Sequence, residues 1–188
     1  MNPIYIAHRL SHSVSFLWCF HRVHHYPTQI SYFANNRQHP FEAVFWGSMQ
    51  SIIIAIYTVL FMPLYQDLGS IDFDNVFLTF LVLTFPRFMG HFIHIHIPIS
   101  YGNVLNKIFV SPVVHAIHHS DLIYNKNYGS MFSIWDVIFK SYYLPKTQSE
   151  LLKHYNNFGA GVNDEYYKNI IDAIIKPFKE AYAILRRK

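Results

Sequence analysis

Histidine is the residue type whose number and spacing in this sequence most strongly suggest chemistry. The chain has 13 histidines in 188 residues, almost as many as its 15 lysines and arginines combined. Eight of them lie in three clusters: HRLSH with His8 and His12, HRVHH with His21, His24 and His25, and HAIHH with His115, His118 and His119. Neutral imidazole binds zinc, copper, nickel and iron. The clusters therefore predict metal binding.

The spacing within the clusters strengthens this prediction. Residues three and four positions apart share one face of a helix, so HxxHH can project three rings to one side and HxxxH can project two. Each triplet is thus a ready-made set of facing ligands. One metal ion usually takes three or four protein ligands, so eight clustered rings indicate two ions. An isolated histidine is more often an ordinary polar or surface residue, and it is the combination that favours metal.

A further run, GHFIHIHIP, adds His91, His94 and His96 at the end of an apolar stretch. Ionisable residues at such positions in a membrane segment are candidates for function. His91 and His94 can share a helix face, whereas His94 and His96 can do so only if the segment is extended or broken. We expect His94 to be a ligand, and His91 and His96 to be possible ligands or residues that support a ligand through a hydrogen bond.

Two apolar stretches are the elements that could position these clusters. Residues 41–65 carry one charged residue, Glu42, and at about 1.5 Å per residue they can cross a bilayer core. Residues 73–98 begin apolar, but Pro86, Arg87 and three histidines interrupt the second half. The connector QDLGSIDFD contains no lysine or arginine. We predict an all-α, integral-membrane fold with one transmembrane hairpin over about residues 41–98.

The distribution of basic residues predicts the orientation of this hairpin. Of the 15 lysines and arginines, all but Arg87 lie before Phe41 or after Pro98. Because cytoplasmic flanks are enriched in basic residues, both flanks are expected on the cytoplasmic side, where they form a helical cap that carries the histidine clusters. A soluble all-α protein with two buried helices is the alternative, since the mean hydropathy is only +0.13.

The remaining composition excludes several classes of protein. The basic residues that give the net charge of +4 are scattered and have no stacking motif beside them, so nucleic acid is not an expected partner. The single cysteine, Cys19, excludes an intrachain disulfide and a cysteine-based zinc finger, and it is expected to be buried. No secretory signal peptide is apparent. The domain boundary is predicted near residue 146, and residues 147–188 form a polar tail with a cytosolic or interfacial amphipathic helix.

The order of the motifs, HxxxH, HxxHH, apolar hairpin and HxxHH, resembles the fatty acid hydroxylase and sterol desaturase superfamily. RQHP at residues 37–40 is similar to the family's RxHP step, and SPVVHAIHHS followed by NKNYGSMFSIWDVIF is similar to its last triplet and NYG...WD continuation. The resemblance covers about residues 5 to 145. It implies nine metal ligands: His8, His12, His21, His24, His25, His94, His115, His118 and His119. It also implies that Asn127, Gly129, Trp135 and Asp136 support the site, and His39 of RQHP is a further possible ligand or support.

The resemblance implies a function as well. Its members are membrane-bound di-iron oxygenases that hydroxylate or desaturate a sterol, fatty acyl or alkylglycerol lipid, with dioxygen and electrons from a cytochrome b5-like or ferredoxin-like carrier. Two iron ions are expected, with zinc as a possible substitute in isolated protein, and no catalytic residue beyond the ligands. The metal site would face the cytoplasm, at the endoplasmic reticulum of a eukaryote or the inner membrane of a bacterium.

Two departures from the family pattern define the rival hypotheses. Relatives have membrane spans before the first histidine motif, so the chain is expected to be a fragment or to have a shortened start. Phe139, Lys140 and Ser141 stand where the family has FGT. The first rival is a truncated, inactive relative that binds zinc without redox chemistry. The second is a metal transporter, which would have ligands deep in several spans.

Overall fold

Helices make up the regular structure of the chain. The computed structural model describes residues 2–67, 76–162 and 165–187, and no strand occurs among them beyond an isolated bridge between Ser120 and Phe158. The helices are α1 (Pro3–Ser13), α2 (Ser15–His25), α3 (Pro40–Asp67), α4 (Val76–Ile93), α5 (Gly102–Leu105), α6 (Pro112–His118), α7 (Ile134–Ile138), α8 (Gln148–Tyr155) and α9 (Ile170–Arg186), with a 3-10 helix at Tyr32–Asn36. The predicted all-α class is confirmed for the described residues.

The first two histidine clusters lie on a pair of packed helices. The side chain of Asn2 caps α1 by accepting a hydrogen bond from the Ile4 amide at 2.9 Å, and Pro3 fits the first turn because its missing N–H has no helical partner there. Val14, with an extended backbone, separates α1 from α2. The turn lets the two helices pack against each other, and it brings the rings of His12 and His21 to a centroid distance of 4.6 Å.

Helix α3 has the length and composition of a membrane span. Its segment Pro40–Phe61 is apolar enough to cross a bilayer, and none of its most apolar 18-residue window is buried inside the protein. Val44 and Val59 are 69% and 72% exposed. A long apolar helix in a soluble protein would bury such side chains, so the exposure disfavours the soluble alternative.

The second predicted span is one helix that ends at its polar part. Helix α4 continues through Pro86 to Ile93, and His94 follows in a turn, with its amide donating to the His91 carbonyl at 3.2 Å. The helix therefore ends at Ile93, within the stretch where the sequence predicted an interruption. Residues 68–75, which include most of the predicted connector, lie outside the described residues, so the hairpin stays a prediction.

The last triplet lies on a short, fully buried helix. Ser111 caps α6, and residues 111–120 are all buried. Val110 and Val114 form an apolar cluster with Ile93 of α4, which ties α6 to the end of the second apolar stretch. This packing places His94 beside the last triplet.

Helix α9 packs on α2. Ala181 forms an apolar cluster with Cys19 and Phe20, and Arg22 forms an ion pair with Glu180. Cys19 is buried, as predicted. The C-terminal helix α9 therefore stabilises α2, which carries the second histidine cluster.

The residues that replace FGT follow α7 directly and cap its C-terminal end. The Ser141 amide donates to the Asp136 carbonyl at 2.8 Å, the Lys140 amide donates to the Val137 carbonyl at 3.3 Å, and Lys140 has a φ of 58°. This is the Schellman arrangement, in which glycine is preferred because the left-handed backbone strains any residue with a Cβ. The sequence departure thus puts a lysine where the backbone favours glycine.

We expect the substitution Lys140→Gly to stabilise the fold by about 1 kcal/mol, because it removes the cost of a left-handed residue with a side chain. The measurement is the midpoint of thermal unfolding in detergent. Lys140→Ala is the matched control, since it removes the charge and keeps the Cβ. An equal rise in both variants would mean that the charge of Lys140, and not its backbone, is the unfavourable feature.

Candidate metal centre

The structure brings nine histidines together in two adjoining groups. The first consists of His8, His12, His21, His25 and His118, and the second of His24, His94, His115 and His119. Within each group the candidate ligand atoms all lie within 4.8 Å of one another. These are the nine positions that the sequence singled out, and they come from α1, α2, the turn after α4, and α6 with its C-cap.

The nitrogens that converge are Nε2 atoms. In the first group, Nε2 of His21 lies 3.0 Å from that of His12 and 3.2 Å from that of His25. In the second, Nε2 of His115 lies 2.9 Å from that of His94 and 3.1 Å from that of His119. With a metal–nitrogen distance of about 2.1 Å, two ligands at a right angle are about 3 Å apart. The spacing therefore fits nitrogens around shared metal ions.

The two HxxHH triplets do not each stay with one group. His21 and His25, four residues apart, belong to the first group, whereas His24 belongs to the second. The last triplet shows the reverse division: His115 and His119 belong to the second group and His118 to the first. The rings of each triplet are thus divided between the two groups, and α2 and α6 each contribute to both.

The opposite ring nitrogen of several histidines is anchored by an acceptor. Nδ1 of His8 donates to the Tyr128 carbonyl at 2.6 Å, Nδ1 of His118 to the Lys126 carbonyl at 2.8 Å, and Nδ1 of His94 to the Gly90 carbonyl at 2.6 Å. A carbonyl can only accept, so Nδ1 carries the proton and the Nε2 lone pair points into the group.

Two of these lone pairs provide a direct test of whether metal fits. Nε2 of His8 and Nε2 of His118 are buried and have no hydrogen-bond partner among the described residues. A buried acceptor without a partner is unfavourable by about 1–3 kcal/mol, and a metal ion removes that cost. The residues present therefore fit a metal ion.

Burial also keeps the rings neutral. It lowers the pKa of His24 and of His118 to about 4. Burial first, and repulsion from neighbouring imidazoles second, lowers the pKa of six further rings well below the ordinary range: those of His8, His12, His21, His25, His115 and His119. Only the neutral imidazole has a lone pair for a metal, so at neutral pH the site is ready to bind one.

Glu42 is a site residue that the sequence reasoning missed. It lies in the first turn of α3 with only 3% of its surface exposed, and its carboxylate accepts a hydrogen bond from Nδ1 of His21. A carboxylate behind a ligating histidine fixes the ring and raises its basicity. The available signal was that Glu42 is the one charged residue of the apolar stretch that it begins.

Asp136 supports the first group from a distance. Its buried carboxylate accepts hydrogen bonds from the Tyr128 amide at 2.8 Å, the Gly129 amide at 2.7 Å and the Ser141 hydroxyl at 2.7 Å. The carbonyl of Tyr128 is the acceptor that anchors His8. Gly129 leaves no room for a side chain, since a Cβ there would lie 2.6 Å from the Phe132 carbonyl oxygen.

Asn127 holds the same loop against α6. It has a φ of 56°, and its side-chain amide donates to the carbonyls of Val114 at 3.2 Å and Tyr143 at 2.8 Å. Its side-chain oxygen accepts from the Tyr143 amide at 2.8 Å. Asn127 and Asp136 thus lie outside both histidine groups and stabilise the loop beside them.

Three further histidines that the sequence named as possible ligands or supports, His39, His91 and His96, lie outside both groups. The ring of His91 stacks on Tyr32 and donates to its carbonyl at 3.0 Å, and His96 is exposed. His39 is buried, and its Nε2 donates to the Ile174 carbonyl of α9 at 3.0 Å. The first group is also flanked by aromatic rings that the sequence did not point to: Trp46 lies 5.3 Å from His8, and Trp18 lies 5.0 Å from His12, as centroid distances.

Comparison with known proteins agrees with this architecture. The family described as fatty acid hydroxylase matches residues 3–141, which contain all nine histidines of the two groups. The chain belongs to the fatty acid hydroxylase family. The resemblance drawn from the histidine motifs is therefore confirmed.

Relatives of this fatty acid hydroxylase family member have different names. The chain is 27% identical over 177 residues to the ornithine lipid hydroxylase OlsE of Rhizobium tropici, and the match covers 93% of this chain and 46% of that protein. It is 30% identical over 144 residues to a Delta(7)-sterol 5(6)-desaturase of Candida glabrata, covering 76% and 34%. It is 27% identical over 143 residues to the alkylglycerol monooxygenase of Caenorhabditis elegans, covering 73% and 24%. The chain spans less than half the length of these relatives. No solved structure matches it.

In this fatty acid hydroxylase family member, we expect Glu42→Gln to weaken metal binding in the first group by about 10- to 100-fold, because glutamine can accept from His21 but carries no negative charge. The second group should change much less. Competition with a chelator, followed by metal analysis, measures both. Glu150→Gln, at an exposed residue of α8, is the control, and equal weakening of both groups would contradict the assigned role.

Proposed function

We propose that the chain carries the catalytic centre of a membrane-bound oxidoreductase that hydroxylates or desaturates a lipid with dioxygen, using two iron ions. One observation carries the proposal: the Nε2 atoms of nine histidines converge in two adjoining groups. The family supplies the chemical context, since the named relatives are a lipid hydroxylase, a sterol desaturase and an alkylglycerol monooxygenase. Substrate class, metal identity and reaction are part of the proposal.

In this proposal, each group holds one ion. Bound iron, reduced by an external carrier of the cytochrome b5-like or ferredoxin-like type, would supply the activation of dioxygen and the removal of hydrogen from an unactivated carbon. The nine imidazoles bind the ions as neutral donors. The carbonyls of Gly90, Lys126 and Tyr128 orient three of the rings, and Glu42 orients a fourth.

The surroundings of the groups keep bulk water out. Tyr128 is 3% exposed and lies edge-on to His8 at 6.0 Å between ring centroids. Trp46 covers His8 from α3, and its indole N–H donates to the Ser11 hydroxyl at 3.1 Å. A dry site limits side reactions of an oxidant and favours an apolar substrate.

We further propose that α3 and α4 form a transmembrane hairpin and that the histidine groups lie at its cytoplasmic end. The exposed apolar surface of α3 and the basic residues outside residues 41–98 support this orientation. The lipid would enter laterally from the bilayer. The membrane would be the endoplasmic reticulum in a eukaryote or the inner membrane in a bacterium. A transporter would have ligands within several spans, whereas none of the nine histidines lies on α3.

The test is lipid analysis of cells that express the chain, compared with a His118→Ala, His119→Ala variant that loses one ligand from each group. We expect a lipid that gains one oxygen or loses two hydrogens with the native chain only. Labelled dioxygen separates the reactions, because hydroxylation puts the label in the product and desaturation does not. Metal analysis of purified protein should give iron. Zinc alone, with no turnover after iron reconstitution, would favour the inactive metal-binding alternative.

A further inference from the structure

We propose that α9 lies in the interface of a lipid bilayer, with one apolar face in the lipid and the neighbouring face on α2. The inference goes beyond the proposed reaction and does not depend on metal or turnover. All of α9 lies beyond the part of the chain that matches the family, since the match ends at residue 141.

The apolar face is a continuous stripe of large side chains. It consists of Ile171, Ile174, Ile175, Phe178, Tyr182 and Leu185, here called the α9 stripe, and all six are exposed. Their positions, mostly three or four residues apart, place them along one side of the helix. Ile171 is 67% and Leu185 is 57% exposed. Single exposed apolar residues are ordinary, whereas a contiguous apolar stripe marks a contact surface.

The stripe cannot turn inward as a whole, because the neighbouring side of α9 is already packed, and Phe178 within the stripe lies 5.1 Å from Phe20 of α2 as a centroid distance. Pro177 and Ala181 are buried, and Ala181 contacts Cys19 and Phe20 of α2. The ion pair between Arg22 and Glu180 further fixes the rotation of the helix.

The position of α9 identifies a bilayer as what covers the stripe. His39, the residue before α3 begins, donates to the Ile174 carbonyl at 3.0 Å. Phe178 of the stripe lies 6.2 Å from Phe41, the second residue of α3, as a centroid distance. The middle of α9 is therefore attached where the apolar span Pro40–Phe61 begins. A bilayer that takes the exposed side chains of α3 has its boundary at this level.

The charges on α9 also suit lipid headgroups. Both acidic residues of the helix are engaged by basic ones, Asp172 by Lys176 at 3.0 Å and Glu180 by Arg22. Lys179, Arg186 and Arg187 are exposed, which leaves a basic edge beside the stripe. Such an edge attracts anionic headgroups and would repel the same edge of a second copy. A lipid surface is therefore favoured over self-association.

The test places a fluorescent label on opposite sides of α9 in the full chain. Leu185→Cys lies on the stripe, and Ala183→Cys, two residues away, points to the other exposed side. Ile56→Cys on α3 is the reference for lipid. Cys19 is the only native cysteine and is 3% exposed, so labelling works with Cys19 retained or in a Cys19→Ser background. The proteins are reconstituted in vesicles of phosphatidylcholine and phosphatidylglycerol.

We expect a quencher carried by the lipid to quench the Leu185→Cys label several times more than the Ala183→Cys label, and aqueous iodide to show the reverse order. Equal quenching of both labels by iodide would place α9 in water and overturn the proposal. Protection of the Leu185→Cys label from both quenchers, with energy transfer between differently labelled chains, would show that a second copy covers the stripe, and this also overturns it.

Discussion

Replacing His24 by alanine is expected to deplete metal from the group that it shares with His94, His115 and His119, and to leave metal with its sequence neighbours His21 and His25. Removing one of four donors should weaken that site by at least the roughly 10- to 100-fold loss that follows when a supporting residue is removed. Lipid turnover should be lost. Elemental analysis of purified protein gives the metal content, and His96→Ala, at an exposed histidine, is the control.

Double variants make this prediction sharper. His24→Ala combined with His119→Ala removes two donors from the second group and should leave one ion per chain. His24→Ala combined with His25→Ala removes one donor from each group and should leave little of either ion. If each triplet served one ion, the two double variants would give the opposite order of metal contents.

Replacing Asp136 by alanine is expected to remove much of the stability of the fold. The change leaves two buried amides and one hydroxyl, those of Tyr128, Gly129 and Ser141, without their acceptor. At about 1–3 kcal/mol for each buried unsatisfied group, the loss is several kcal/mol, which is a large share of the roughly 5–15 kcal/mol that stabilises a typical domain.

Thermal unfolding in detergent measures this loss, and the metal content of variants that still fold gives a second readout. Because Tyr128 anchors His8, the first group should lose metal before the second. Asp121→Asn is the matched control, since one oxygen of Asp121 has no partner among the described residues. A change in stability as small as that of the control would mean that the loop does not depend on Asp136.

Eight of the nine histidines that come together could be predicted from the sequence, because their spacing of three or four residues places them on shared helix faces. His94, which belongs to no triplet, could also be predicted, since it lies at the polar end of an apolar stretch. The division of the histidines between two groups could not be predicted, because a spacing of three or four residues shows a shared helix face and not which group each ring joins. That division depends on how α2 and α6 pack, which are about ninety residues apart in sequence.

The supporting residues show a second limit of sequence reasoning. The acceptors behind His8, His94 and His118 are backbone carbonyls, which every residue has, so no residue type announces them. Glu42 is a side chain, but its link to His21 appears only when α3 packs near α2. Only one part of the replacement of FGT is explained by the fold: Ser141 supplies a hydroxyl to Asp136, whereas Lys140 takes a left-handed position that favours glycine.

The division of both triplets has a consequence for how the centre fills. Each of α2 and α6 carries donors to both groups, so the first ion to bind orders helices that the second ion also needs. The second ion then binds to rings whose freedom is already restricted, and its affinity rises. Coupling of about 1–3 kcal/mol between sites is typical of such linkage. Loading of the native chain is therefore expected to be cooperative, with fewer chains that hold a single ion than two independent sites would give.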